Sequence, residues 1–155
     1  MSDIENRLKE LGIELPESNL PAANYIPYYK TGNLIFIAGQ TAKYNGKLEY
    51  AGKAGDKYSL EEAQKAARLC GLNILFQLKQ ALEGDLGKVK HCVRLGVFVN
   101  STDDFCGQAK VANGVSDLMV DVFADKGKHV RTTVSSNSLP SHSTVEVDAI
   151  FEIDQ

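Results

Sequence analysis

Residues 144–153 alternate without a break. Val145, Val147, Ala149, Phe151 and Ile153 fall on one side, and Glu146, Asp148, Ile150 and Glu152 on the other. A period of two is the mark of a strand with one face on a core. Such a strand needs neighbours on its edges and a cover for its apolar face. Between 89 and 99 the odd positions are Val89, His91, Val93, Leu95, Val97 and Val99, which predicts a second strand of the same kind.

The cover is written between them as helices. Ser59 and Glu62 have capping-box spacing. They open a long helix with Ala63, Ala67, Cys70, Ile74, Leu78 and Leu82 on one stripe, ending near Gly84. Asp103 or Asp104 is placed to cap a second helix, whose stripe is Val111, Val115, Leu118, Met119 and Val122. Ser2 and Glu5 repeat the box ahead of a short helix that Gly12 ends. Residues 24–30 read as an edge strand limited by Pro27, and 34–39 as an apolar strand. Asn45-Gly46 signals a hairpin. Residues 129–137 form a further strand. A Pro-containing turn at 139–140 joins it to 144–153, predicting an antiparallel hairpin.

The order is a short helix, then β-β-(β)-α-β-α-β-β. It specifies an α+β fold, a mixed sheet with both long helices on one face. One domain over 1–155 is expected, with 1–23 as a helix-and-connector extension. The second sheet face has no helix left to cover it. Association of that face in a closed cyclic oligomer is the simplest remedy.

The chain carries 17 basic and 20 acidic residues, a net charge of −3, which gives no footprint for nucleic acid or an anionic membrane. No apolar run approaches the ~18 residues that a bilayer span requires. Cys70, Cys92 and Cys106 are odd in number and widely spaced, with no CxxC pair. That suits a reducing, cytoplasmic setting and argues against structural zinc. The opening residues lack the pattern of a signal peptide. GxGxxG, GxxxxGK[ST], HExxH and GxSxG are all missing, and His91, His129 and His142 are scattered. Nucleotide cradles and zinc-protease or hydrolase motifs are thus unsupported.

The segment 129–148 stands apart. Arg131 lies near the start of one strand and Glu146 near the start of the next. An arginine offers a carboxylate a planar two-pronged fork, and a glutamate beside it can orient or deprotonate water. Spacing alone is met more simply by an ion pair on a solvated face.

NYIPYYKTGNLIFIAGQ at 24–40, FVNSTDDF at 98–105 and VRTTVSSNSLPSHSTVEVDAIFEI at 130–153 resemble the RidA/YjgF family, in the family's order, from about residue 24 onward. The extra N-terminal helix and the long segment 41–58 resemble one longer-chain branch. The resemblance implies a chorismate-mutase-like fold assembled as a homotrimer, with pockets between subunits. It implies cofactor-independent hydrolysis of reactive enamines and imines to 2-oxo acids and ammonia. The alternative is a non-catalytic protein that binds a 2-oxo acid or amino acid in the same cleft.

By the same resemblance, Arg131 binds the substrate carboxylate, Glu146 positions the attacking water and Thr133 contributes its backbone. Tyr28 closes the pocket and Gly39 lines its floor beside Ala38. Asp103 and Phe105 belong to the cleft's border. Thr133 stands where many members have cysteine, Ala38 where many have serine and Asp103 where asparagine is common. These departures bear on which imine is taken.

Overall fold

The structure is a computed structural model that describes residues 2–18, 21 and 23–154. Its α+β architecture is a five-stranded sheet with helices packed on one face. Strand order is β1 (Tyr28–Thr31), β2 (Leu34–Thr41), β7 (Val145–Ile153), β5 (Val89–Asn100) and β6 (Val130–Ser136). A small hairpin, β3 (Lys43–Tyr44) and β4 (Lys47–Leu48), turns through Asn45 and Gly46. Both turn residues have positive φ, at 50° and 81°, as a tight two-residue hairpin demands. The covering helices are α2 (Leu60–Ala81) and α3 (Gln108–Phe123), and a short α1 (Asp3–Glu10) packs at their base.

β7 carries the alternation that its sequence specifies. Val145, Val147, Ala149, Phe151 and Ile153 are all 2% exposed or less, while the residues between them are half-buried on the open face. The core joins them to Ile35, Ile37, Leu95, Val97 and Val99 of the sheet and to Ile74, Leu75, Leu78, Val115, Leu118 and Met119 of the helices. Ser59 and Glu62 form the full capping box of α2. In α1, Ser2 accepts from Glu5 N. The Glu5 carboxylate does not return to close a box; Oε1 accepts from Leu86 N at 3.1 Å and ties α1 to the turn before β5.

Three sequence expectations are corrected. β6 and β7 do not form a hairpin, because β5 lies between them, parallel to β6 and antiparallel to β7. α3 crosses over between β5 and β6, and a helical crossover delivers a parallel strand. The link from β6 then steps over β5 through a 3-10 turn at Pro140–His142. The odd-residue alternation of β5 also fails at its start. Register shifts between Val89 and His91 and between Cys92 and Arg94 turn Cys92 inward, leaving His91 and Val93 half-buried on the other side. Lastly, α3 begins at Gln108 behind Gly107, with no side-chain cap. Asp104 instead accepts from Thr102 Oγ1.

The helices meet at very close range. A Cβ at Gly114 of α3 would collide with the backbone carbonyl of Gln64 on α2. Gly→Ala in an exposed helix interior gains up to ~1 kcal/mol. Here the sign reverses. Gly114→Ala is expected to destabilise the fold by about 1–3 kcal/mol through overpacking, read as a lower urea midpoint at unchanged m-value.

Candidate functional site

β1 pairs with β2 only as far as Ile37. Beyond it β2 bulges, since Ala38 and Gly39 fall between the pairs Ile37–Ala149 and Gln40–Val147. The bulge is held by Ala38 N donating to Pro27 O at 2.9 Å and by Gln40 Nε2 donating to Ala38 O at 3.0 Å. It lays the backbone of Gly39 against the Glu146 side chain. A Cβ at Gly39 would occupy the place of Glu146 Oε2, so no larger residue fits without moving the carboxylate.

A cavity of about 500 Å³ opens here. Ala38, Gly39 and Glu146 line it together with Tyr25, Pro27 and Ser141. Burial pushes the Glu146 carboxyl above its usual range, and the nearby charge of Asp148 pushes it the same way. The result is a half-buried carboxyl with raised basicity in a cleft, the arrangement a general base requires.

The other sequence-selected residues lie elsewhere in the chain. Arg131 pairs with Leu95 on β5 and so faces the helices. Its Nη1 donates to Asn113 Oδ1 and Ser116 Oγ, both at 3.0 Å, and its Nη2 to Ala109 O at 3.2 Å. Glu146 faces the opposite side of the sheet, two strands away, and makes no ion pair with Arg131. Thr133 neighbours Arg131 on the same face of β6, and its Oγ1 is buried without a partner among the described residues. Asp103 is exposed, and Phe105 packs against the core, both in the loop leading to α3. Tyr28 lines an adjoining cavity with Ile26, Phe76 and Gln80, and it is Tyr25 that shares the cavity of Glu146. The candidates thus fall into two groups, Ala38 and Gly39 in the β2 bulge with Glu146 on the adjoining central strand β7, and Arg131 and Thr133 on the edge strand β6 with Asp103 and Phe105 in the loop before α3.

Sequence reasoning missed Asn73 and Gln77, which line the Glu146 cavity from α2 while 2% and 4% exposed. Their signal was present: two amides sit on an apolar stripe beside Ile74 and Leu78. Among the described residues no three His, Cys, Asp or Glu side chains converge as a metal site. Among the described residues no helix is long and apolar enough to cross a membrane.

The chain belongs to the YjgF/chorismate-mutase-like family: residues 5–153 match the family described as "YjgF/chorismate_mutase-like, putative endoribonuclease". It is 42% identical over 147 residues to Protein TCP17 of Trypanosoma cruzi, covering 94% of this chain and 91% of that protein. A crystal structure of a protein of unknown function from Agrobacterium tumefaciens superposes with a TM-score of 0.91 at 44% identity, covering 97% of this chain and 92% of that one. A crystal structure of "a putative endoribonuclease" from Shewanella oneidensis gives a TM-score of 0.94 at 34% identity, covering 98% of this chain and 100% of that one.

The Arg131 guanidinium is positioned by a relay. His129 Nδ1 is 2.6 Å from Gly127 O, so this nitrogen carries the proton and donates it. The bare Nε2 then accepts from Ser116 Oγ at 2.8 Å, and Ser116 in turn accepts from Arg131. Burial lowers the His129 pKa, the Gly127 bond opposes this, and the charges of Arg131 and His91 add to the lowering. A histidine held neutral contributes stability that is fully present above its ordinary value of 6.5 and lost as pH falls through the lowered folded value. Denaturation at a series of pH values should therefore show wild type losing stability on acidification, and His129→Gln losing less.

Proposed function

We propose that the protein hydrolyses reactive imines and enamines bearing a carboxylate, giving 2-oxo acids and ammonia. The observation that carries this reading is the half-buried Glu146 carboxyl, raised in pKa and pressed against the Gly39 backbone in a cavity. Glu146 takes a proton from water, and the water oxygen bonds to the imine carbon. That proton passes to the imine nitrogen as the tetrahedral carbinolamine forms; the hydroxyl proton then follows to nitrogen by way of Glu146, the C–N bond breaks as the C=O bond forms, and ammonia leaves. Imines hydrolyse readily in water, so orienting the reactants supplies most of what is needed.

The carboxylate is received by Arg131 of an adjacent copy, with the Thr133 backbone beside it. Within one chain Arg131 and Glu146 occupy opposite faces, Arg131 on the edge strand β6 and Glu146 on the central strand β7. β7 and β6 are two strand spacings apart, roughly 10 Å. Joining one copy's β6 to the stretch of the next copy's β2 that β1 leaves unpaired beyond Ile37 is a head-to-tail contact, and a head-to-tail contact that closes makes a ring. A homotrimer with three such sites fits the uncovered sheet face, where Phe36 is 41%, Val134 44% and Val130 66% exposed. Glu146 as base and the absence of a basic surface run favour imine hydrolysis over RNA cleavage.

A coupled assay tests the reaction: an L-amino-acid oxidase generates imines, and semicarbazone formation reports those that survive. Added protein should lower the semicarbazone signal. Arg131→Lys and Arg131→Ala should each reduce kcat/KM by about 10- to 1,000-fold, because a point charge does not reproduce the fork. Full activity in Arg131→Ala would remove the carboxylate role. The base is the ionised form of Glu146, so activity rises with pH through a value above the ordinary carboxyl 4.5. Glu146→Gln should abolish that limb in the pH profile of kcat/KM while leaving the thermal midpoint near wild type.

A further inference from the structure

Asn73 lies on the buried stripe of α2, and its amide is oriented without ambiguity. Nδ2 faces the carbonyls of Lys43 at 2.7 Å, Leu69 at 3.1 Å and Thr41 at 3.4 Å. Three acceptors around one terminus identify that terminus as the nitrogen. The other terminus, Oδ1, is buried and has no hydrogen-bond partner among the described residues. A desolvated acceptor without a donor is costly, and such a group points to a missing partner. Asn73 forms part of the wall of the cavity that holds Glu146, and Gln77, one helical turn on, extends the same wall. The two ends of the cavity are close across β2, since Thr41, whose carbonyl Asn73 engages, is the register partner of Glu146.

We infer that the Asn73–Gln77 wall is a specificity subsite for a neutral hydrogen-bond donor, a hydroxyl or carboxamide, on the tail of a substrate whose imine carbon lies at Glu146. The assignment rests on the imine reading above and narrows its substrate class to imines of amino acids with polar, uncharged side chains. Oδ1 requires an N–H or O–H. A carboxylate tail has none to offer, and an ammonium tail meets the Lys43 ammonium on the same cavity wall. An alkyl tail leaves Oδ1 unpaired, and a site built to pair a polar group discriminates strongly against the analogue that lacks it. The cavity volume of about 500 Å³ falls in the range that takes drug-sized ligands, leaving room for a tail beyond a three-carbon acid.

Two arms test this on the wild-type protein. In the first, imines generated from L-glutamine and L-leucine compete with semicarbazide, and the glutamine imine should be removed with kcat/KM at least about tenfold higher. Removal of both at equal rates overturns the subsite and leaves the hydrolase intact. In the second, calorimetry compares L-glutamine with L-homoleucine, an isostere with isopropyl in place of carboxamide and no imine to hydrolyse. Tighter binding of glutamine by about tenfold supports the subsite whether or not any imine is turned over, and equal or reversed affinities overturn it. Loss of all imine removal therefore sinks the hydrolase alone. A crystal structure with glutamine should place the amide nitrogen on Asn73 Oδ1, and an ordered water there instead overturns the assignment. Asn73→Ala should collapse the glutamine-to-leucine ratio towards one. The wild-type comparisons decide the matter if that variant does not fold.

Discussion

β7 is hydrogen-bonded along both edges but packed on only one face. Its inward residues are sealed beneath α2 and α3, while Glu146, Asp148, Ile150 and Glu152 look out on the other side. Everything else follows from this asymmetry. Two helices suffice to bury one face, and the bulge in β2 places a glycine next to the first outward carboxylate of β7. The open face carries a row of residues, Phe36, Ile150, Arg94 and Val130, in direct register across β2, β7, β5 and β6. Three of them are apolar and the fourth is neutralised by Asp148 at 3.2 Å. Such a surface is poorly suited to lie permanently in water.

Much of the fold was legible because local and global signals agree. The alternation of β7, the box at Ser59 and Glu62 and the stripes of both long helices each state their element in a few residues. The failures have physical causes. Bulges at 89–94 reset the phase of β5, and period-two reasoning has no means to see an inserted residue. A short Pro-containing link between two strands suggests a hairpin, yet nothing local records that β5 takes the place between β6 and β7. Asp103 and Asp104 are good cap residues that lose to a Thr102–Asp104 hydrogen bond and a later start at Gly107.

The site was legible in its parts and not in its arrangement. Gly39 and Glu146 come together because their strands pair, as a sheet containing both would allow. Arg131 does not join them, since pairing with Leu95 fixes its side chain toward α3. The sequence shows that two chemically useful residues exist; it does not show which face each occupies until the strand order is known. The α2 amides illustrate the converse. They are buried on an otherwise apolar stripe, at the place where the cavity reaches the helix.

The register shifts of β5 have a chemical consequence as well. Turning Cys92 inward pushes its thiol up to about 12, and full burial drives the Cys70 thiol well above its ordinary value while its Sγ lies 3.3 Å from Val145 O. Thiolate is the reactive form, so both sulfurs are closed to alkylation and oxidation while the fold is intact. Cys106 alone is exposed, in the loop that leads into α3. To a maleimide dye or a spin label the folded chain is a one-thiol molecule. A second or third equivalent of label taken up on warming would count open chains directly, with no engineered cysteine.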